Sequence, residues 1–142
     1  MYRPLEILLV EDNEGDVEMT RRALSSSAPP SSITVANNGN QGLDCLNRQG
    51  RFAEAERPQL ILLDINMPRM DGKAFLKTIK AEDEFKAIPV VMFTSSESPT
   101  DIRDCFELYA SAYVVKPFDG VLYADRLRQI VSFWGTVGEL PK

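Results

Sequence analysis

Five polar side chains in this sequence directly follow apolar runs, and their types suit metal binding and phosphoryl transfer. Glu11 and Asp12 follow the run LEILLV, and Asp64 follows LILL. Thr94 follows VVMF, and Lys116 follows AYVV. Carboxylates placed together repel one another and raise each other's pKa unless a cation compensates them. Mg²⁺ suits such a position, because it binds a few carboxylates and keeps several waters.

The same residues have the groups that phosphoryl transfer requires. This reaction depends mainly on positioning and on stabilising charge that spreads over three oxygens. A divalent cation and the ammonium of Lys116 would supply that stabilisation, and the hydroxyl of Thr94 would donate a hydrogen bond. Because a carboxylate nucleophile that forms an acyl phosphate is established chemistry, Asp64 is the candidate nucleophile.

Short apolar segments that alternate with helical patterns would position these residues. We predict strands at residues 5–10, 33–36, 60–64, 90–96 and 112–116. Their alternation with helices predicts an α/β fold, with a doubly wound, five-stranded parallel sheet covered by five helices. Ligands of such sheets bind beyond the carboxyl ends of the strands. The five polar residues lie at those ends.

The pattern also predicts where two helices and one connection lie. Residues 100–109 are expected to form the fourth helix. Four of its apolar residues recur at the spacing of one helix face: Ile102, Cys105, Phe106 and Tyr109. The last helix is expected to run from about residue 119 to about residue 134. The stretch SSSAPPSS, residues 25–32, is a polar connection within one domain.

Length and composition restrict the function classes. The 142 residues suffice for one domain, and a net charge of -5 without a Lys/Arg cluster argues against a nucleic-acid surface. No stretch reaches the roughly 18 apolar residues of a membrane span, and no signal sequence is recognised, so we expect a cytoplasmic protein. The absence of histidine excludes a His-based triad and His-ligated metals. Cys45 and Cys105 are expected to be reduced thiols.

Each of these features also has an ordinary structural interpretation. An aspartate at a strand end is most often a helix cap or a turn former, and Glu11 and Asp12 alone could be a solvated loop. Thr94 followed by Ser95 is a common signal for the start of a helix. A functional site is favoured because all these residues end successive core strands.

Four segments resemble the motifs of the receiver domains of two-component response regulators. They are ILLVEDN (7–13), LILLDINMPRMDG (60–72), IPVVMFTSS (88–96) and AYVVKPF (112–118). The resemblance implies a flavodoxin-like fold with strand order 2-1-3-4-5. It also implies a single-domain, chemotaxis-regulator-like protein that accepts a phosphoryl group from a sensor histidine kinase. Such a protein signals to a downstream protein through a conformational switch, without a DNA-binding output domain.

The resemblance implies a role for each residue of the acidic pocket. Asp64 would be the phosphoacceptor. Mg²⁺, or Mn²⁺ as an alternative, would be bound by Asp12, Asp64 and the backbone carbonyl of Asn66. Glu11 would hold the metal mostly through water, and Lys116 would contact the phosphoryl group.

Further implied roles concern the switch and two turns. Thr94 would move to hydrogen-bond the phosphate and would draw Tyr113 inward. Lys116–Pro117 would be a cis peptide. The turn after Asp64 would use the backbone freedom of Gly72.

The implied activity is that of a phosphoacceptor signalling protein rather than an enzyme, with self-catalysed transfer to Asp64 and slow autodephosphorylation. Two alternatives come from other classes. A hydrolase like the haloacid-dehalogenase-like phosphatases needs a second acid two residues after the nucleophile, where this chain has Asn66. A small-cofactor binder would use the glycines of NNGNQG, but the sequence has no G-x-G-x-x-G or Walker motif.

Two features depart from the usual receiver pattern. Tyr109–Ala110 stands where receivers usually carry Gly-Ala, so a bulky side chain would reshape the partner-binding surface. The C-terminal stretch IVSFWGTVGELPK resembles that of single-domain regulators paired with bacterial phytochromes, which makes a phytochrome a candidate kinase. We expect a receiver domain at residues 1–135 and a tail at 136–142. Phe133 and Trp134 would contribute to a homodimer through the last helix and tail, or would cover only their own domain.

Overall fold

The structure is a computed structural model that describes residues 4–25 and 30–141. Five parallel strands form one sheet in the order β2-β1-β3-β4-β5. The strands are β1 (Leu5–Val10), β2 (Ser31–Ala36), β3 (Leu60–Leu63), β4 (Val90–Thr94) and β5 (Ala112–Val115). The predicted α/β fold and its flavodoxin-like strand order are confirmed.

Five α-helices connect and follow these strands. They are α1 (Glu14–Leu24), α2 (Gly39–Leu46), α3 (Gly72–Lys80), α4 (Pro99–Glu107) and α5 (Gly120–Ser132). A short 3₁₀ helix, Gly50–Phe52, precedes β3, and a π-helical segment, Phe133–Val137, follows α5. Within the part of the chain that the structure describes, no helix is long and apolar enough to cross a membrane.

The two faces of the sheet form separate apolar cores, because successive residues of a strand point in opposite directions. On one face, Leu8 and Leu63 pack with Phe75 and other side chains of α2, α3 and α4. On the other face, Leu62 packs with Leu127 and apolar residues of α1 and α5. All four residues of β3 are buried. The ends of β1 and β3 are therefore held from both sides of the sheet.

Each α-helix begins after a polar residue whose side chain accepts a hydrogen bond from a backbone N–H of the first turn. These caps are Asn13, Asn38, Asp71, Ser98 and Asp119. Asp64 and Thr94 are not among them. The interpretation of these two strand-end residues as helix caps is therefore wrong.

The fourth helix differs from its prediction in length and in burial. α4 ends at Glu107 rather than at residue 109, and Tyr109 has a left-handed φ of +72° that turns the chain toward β5. Cys105 is buried and Ile102 is half-buried, but Phe106 and Tyr109 are 48% and 75% exposed. The predicted apolar face is therefore correct for Ile102 and Cys105, whereas Phe106 faces solvent from within the helix and Tyr109 lies beyond its end.

Other boundaries also differ from the prediction. β3, β4 and β5 end at Leu63, Thr94 and Val115 rather than at residues 64, 96 and 116. α5 ends at Ser132, and the chain then continues as the π-helical segment rather than as an α-helix to residue 134. The polar connection before β2 is shorter than predicted, because Ser31 and Ser32 pair with β1. Its central residues, 26–29, lie outside the described residues.

Tyr109 occupies a left-handed position at the end of α4, where glycine is favoured. A residue with a Cβ pays roughly 1–2 kcal/mol there, and this exposed ring contributes little packing. We expect Tyr109→Gly to raise the free energy of unfolding by about 0.5–1 kcal/mol in urea titrations, since the added entropy of the unfolded chain offsets part of the gain. Tyr109→Ala is the control, because it removes the ring and keeps the strain. Equal stability of the two variants would contradict the prediction.

Candidate functional site

Three carboxylates meet at the carboxyl edge of the sheet, where β1 and β3 end side by side. Val10 and Leu63 are register partners, and the backbone N–H of Asp64 donates to the Val10 carbonyl at 3.1 Å. Glu11, Asp12 and Asp64 each offer a carboxylate oxygen, and these oxygens lie within 4.8 Å of one another. Glu11 and Asp64 are buried, whereas Asp12 is exposed. The structure thus brings the three predicted acids together.

Lys116 supplies a positive charge between these carboxylates. Its Nζ lies 2.5 Å from Glu11 Oε1 and 3.5 Å from Asp64 Oδ2. A third carboxylate oxygen, Asp16 Oδ2, lies 3.2 Å from the same Nζ. Burial lowers the pKa of Lys116, but the hydrogen bond to Glu11 and the surrounding carboxylates outweigh burial and raise it. The ammonium is therefore charged throughout the physiological pH range.

Glu11 is the most buried of the acids, with 2% of its surface exposed. Burial raises the pKa of Glu11 to about 7, although the hydrogen bond from Lys116 lowers it; the charge of Asp64 raises it further. Its Oε2 accepts a hydrogen bond from the Asn13 backbone N–H at 3.1 Å, while Oε1 contacts Lys116. Both oxygens of Glu11 therefore have partners within the protein.

Asp64 is oriented by its own loop. Its Oδ1 accepts a hydrogen bond from the Ile65 backbone N–H at 2.8 Å, so its Oδ2 faces Lys116. A cavity of about 510 Å³ opens from these carboxylates toward solvent, and Asn66 and Phe118 are among the residues that line it. Asp64 can thus be reached by a small ligand from outside.

The donor atoms of this cavity fit a hard divalent cation. Glu11, Asp12 and Asp64 offer only oxygen, and Asn66 lines the same space. Oxygens that share one Mg²⁺ at its usual bond length lie within about 4.2 Å of each other, so only a small adjustment of the carboxylates is needed. The acids are also close enough that a cation reduces their mutual repulsion.

Thr94 and Tyr113 lie beside the cavity rather than in it. Thr94 is fully buried at the end of β4, and its Oγ1 accepts a hydrogen bond from the Ser96 backbone N–H at 3.4 Å. The Tyr113 hydroxyl donates to the Ser96 carbonyl at 2.9 Å. The neighbouring Ser95 lines the cavity instead. Ser96 therefore connects the hydroxyl residue of β4 with the aromatic residue of β5.

Two residues near the acids were missed by the sequence analysis. Asp16 lies in the first turn of α1, four residues after Asp12, and Tyr123 of α5 donates to Asp16 Oδ1 at 2.8 Å. Asp12 precedes the N-cap Asn13 and is not part of α1, so helical spacing did not connect it with Asp16. Nothing in the sequence indicated Tyr123, because its contact depends on how α1 and α5 pack.

A second polar network connects α3 with α4. Lys73 Nζ lies 2.6 Å from Asp101 Oδ1 and 2.9 Å from Asp104 Oδ2, and Ser96 Oγ donates to Asp101 Oδ2 at 2.5 Å. The hydrogen bonds to Asp101 and Asp104 raise the pKa of Lys73, and the bond from Lys73 lowers the pKa of Asp101. The loop after Thr94 is thereby tied to two helices. This network was also missed from the sequence.

The glycines near the site serve close packing. A Cβ on Gly72 would lie 2.0 Å from the Asp64 carbonyl oxygen, and Gly72 has no left-handed φ. The expected reason for this glycine, backbone freedom, is therefore wrong. Gly39 and Gly42 of the NNGNQG segment leave room for Met70 and Phe75. Their role in packing removes the observation that favoured a small-cofactor binder.

Comparison with known proteins gives one family over most of the chain. The family model described as the response regulator receiver domain matches residues 7–131. Response regulator Rcp1 of Synechocystis sp. is 33% identical over 138 residues, which are 97% of this chain and 94% of that protein.

Solved structures agree with this match. The phosphorylated cyanobacterial phytochrome response regulator RcpA has a TM-score of 0.93 and 33% identity, covering 99% of this chain and 100% of that one. The Mn²⁺-bound form of response regulator Rcp1 has a TM-score of 0.90 and 33% identity, covering 98% of this chain and 100% of that one. The acidic cluster is in keeping with a divalent-metal site of the kind named in the second structure.

Gly72→Ala is expected to destabilise the protein by at least about 2 kcal/mol, because the new Cβ would overlap the Asp64 carbonyl and force the backbone apart. Urea unfolding measures the change. Gly120→Ala is the matched control, because a Cβ at that helical glycine would have no neighbour within 4 Å. Its stability should be unchanged or about 1 kcal/mol higher. Equal behaviour of the two variants would contradict the packing argument.

Proposed function

The chain belongs to the response regulator receiver domain family, and from this membership we propose that Asp64 accepts a phosphoryl group from a sensor histidine kinase. The observation that carries the proposal is the setting of Asp64. One of its oxygens is held by the Ile65 N–H and the other faces a cavity and the Lys116 ammonium. An attacking oxygen is thus positioned, and a cation lies beside the charge that develops.

In the proposed reaction, Asp64 Oδ2 attacks the phosphorus of a phosphohistidine. A P–O bond forms while the P–N bond breaks, and the imidazole of the kinase leaves. Lys116 stabilises the negative charge on the phosphoryl oxygens as they pass from donor to acceptor. Because this chain has no histidine, the phosphohistidine belongs to the kinase.

We assign the metal-binding role to the acidic cluster. Asp12, Asp64 and the backbone carbonyl of Asn66 would bind Mg²⁺, or Mn²⁺ as an alternative, which supplies further charge stabilisation when bound. Glu11 would act mostly through water, because Lys116 and the Asn13 N–H already occupy its two oxygens. The Mn²⁺-bound form of the similar regulator Rcp1 supports a divalent metal here.

The product is a phosphorylated signalling protein rather than a substrate turned over by an enzyme. A hydrolase of the aspartate-nucleophile class needs a second acid near the leaving group. Two residues after Asp64 stands Asn66, whose amide cannot transfer a proton. Water therefore removes the phosphoryl group from Asp64 slowly, and this autodephosphorylation resets the protein.

Phosphorylation would be read by a downstream protein through Thr94 and Tyr113. Added negative charge on Asp64 draws the Thr94 hydroxyl toward it, and Thr94 is joined to Tyr113 through Ser96. Inward movement of Tyr113 then changes the surface of α4 and β5. We also propose that Lys116–Pro117 is a cis peptide.

We further propose that the kinase is a bacterial phytochrome. The proposed location is the cytoplasm, and the proposed partners are proteins rather than nucleic acids or membranes. The similarity to a cyanobacterial phytochrome response regulator, at a TM-score of 0.93, supports the first choice. The net charge of -5 supports a protein partner over nucleic acid.

The receiver domain would span residues 1–135, with residues 136–142 as a tail that contributes to a homodimer. Phe133 and Trp134 stack edge to face with ring centroids 5.1 Å apart. Trp134 packs against the core of its own domain, whereas Phe133 is 49% exposed. Trp134 therefore fits the interpretation that these rings cover their own domain. Phe133 is the better candidate for a contact with a second copy.

The phosphoacceptor assignment is tested with Mg²⁺ and acetyl phosphate. Wild type should form one acid-stable, base-labile adduct, visible as a mass increase, and Asp64→Asn should form none because the nucleophile is lost. Asp44→Asn, at an exposed aspartate of α2, is the control and should label like wild type. Equal labelling of wild type and Asp64→Asn would refute the assignment, and steady turnover of small phosphate esters would favour a hydrolase.

Sedimentation equilibrium tests the homodimer. Phe133→Ala is expected to weaken self-association about tenfold, because truncation of an aromatic anchor at the centre of an interface costs more than about 1 kcal/mol. Phe118→Ala, which removes an equally large exposed ring elsewhere, is the control and should leave the dissociation constant unchanged. A monomeric wild type, or equal effects of the two variants, would overturn the proposed interface.

A further inference from the structure

Lys116 has three ammonium hydrogens and three carboxylate neighbours, one of which lines the same cavity but has no role in the proposed phosphoacceptor chemistry. Glu11 and Asp64 belong to the acidic cluster, but Asp16 does not. Asp16 comes from α1, whereas Glu11 and Asp64 directly follow β1 and β3. The neighbour at 3.2 Å therefore has no role in binding metal or phosphate as described above.

Asp16 is held in this position by a buried hydroxyl. The Tyr123 side chain is 3% exposed, lies edge to face against Phe93 with centroids 5.0 Å apart, and donates to Asp16 Oδ1. Burial, together with the hydrogen bond to Asp16, raises the pKa of Tyr123, so the hydroxyl keeps its proton. Asp16 Oδ2 is left to face Lys116. Two helices, α1 and α5, thus fix one carboxylate oxygen beside the ammonium.

The distances around Lys116 give the position of the ammonium among its three neighbours. A direct ammonium–carboxylate hydrogen bond is about 2.7–2.9 Å long. The contact to Glu11 is at least this short, whereas the separation from Asp64 Oδ2 is 3.5 Å. The ammonium is therefore held nearer to Glu11 and Asp16 than to the nucleophile.

We propose that Asp16, oriented by Tyr123, is a positioning residue that holds Lys116 back from Asp64 and so keeps the attacking oxygen free. A shorter Lys116–Asp64 contact would engage the lone pair that must attack phosphorus and would fill the space that a phosphoryl oxygen enters. The proposal rests on the proposed function of Asp64 as phosphoacceptor. It adds a residue pair, Asp16 and Tyr123, that acts through Lys116.

Asp16→Asn is the main test, because it removes the charge that faces Lys116 and keeps an oxygen that can accept from Tyr123. With Mg²⁺ present, the phosphorylation rate is measured over a range of acetyl phosphate concentrations. We expect the limiting rate to fall by about tenfold to a hundredfold, as for a misplaced catalytic group. The half-saturating acetyl phosphate concentration should match that of the control.

The control is Glu14→Gln, which removes the same charge from an exposed residue in the same turn of α1. Like Asp16→Asn, it makes the net charge less negative and so has the same effect on the attraction of an anionic donor. Its limiting rate should equal that of wild type. Tyr123→Phe should lower the limiting rate less than Asp16→Asn, because Asp16 keeps its charge and loses its orientation. Urea unfolding of each variant separates these effects from loss of folding. If Asp16→Asn does not fold, the limiting rate of Tyr123→Phe tests the positioning role.

A crystal structure of Asp16→Asn, or of Tyr123→Phe if only that variant folds, should place Lys116 Nζ within about 3 Å of Asp64 Oδ2. An unchanged or higher limiting rate in both Asp16→Asn and Tyr123→Phe would overturn the inference, and so would an unmoved ammonium. These outcomes are distinct from failure of the proposed function. If wild type itself carries no phosphoryl group on Asp64, the proposed function fails. If wild type is labelled and Asp16→Asn behaves like Glu14→Gln, only the positioning role fails.

Discussion

The acidic edge of this sheet depends on one buried ammonium. Parallel pairing makes β1 and β3 end side by side, and this register brings Glu11 and Asp64 together where burial limits screening by water. Without Lys116, the folded chain would have to neutralise at least one acid by protonation. With it, the repulsion is partly offset, although burial still raises the pKa of Glu11 to about 7. The fold therefore creates the repulsion, and the last strand supplies the compensation.

The same ammonium joins parts of the molecule that are distant in sequence. The Lys116 backbone N–H donates to the Thr94 carbonyl at 2.8 Å, while its side chain reaches α1 through Asp16. Any new charge on Asp64 changes the balance of attractions on Nζ. Such a change would reach β4 through the backbone hydrogen bond from Lys116 to Thr94. It would reach the contact between α1 and α5 through Asp16 and Tyr123. A charge-driven switch needs such connections, because salt screens the direct effect of an exposed charge beyond about 8–10 Å.

Much of this arrangement was predictable from the sequence, and the exceptions have physical causes. The buried strands were visible as apolar runs, and the strand-end rule then placed Asp64 beside Glu11 and Lys116. Contacts between helices were not visible, since periodicity gives a helix its faces but not its rotation against a neighbour. Tyr123 and Lys73 were missed for this reason. Phe106 was assigned to a buried face because periodicity could not show which part of the α4 apolar stripe the domain covers.

α4 differs from the other helices in what holds it to the domain. It buries only Cys105, whereas α3 buries Phe75, Leu76 and Ile79 as well as Gly72. The contacts of Asp101 and Asp104 with Lys73 therefore do for α4 what apolar burial does for α3. Polar contacts can be exchanged for others at small net cost, whereas exposing apolar surface costs about 25 cal/mol per Å². α4 is thus the helix whose displacement costs least. Because Asp101 also binds Ser96, the loop that follows Thr94 can move with it.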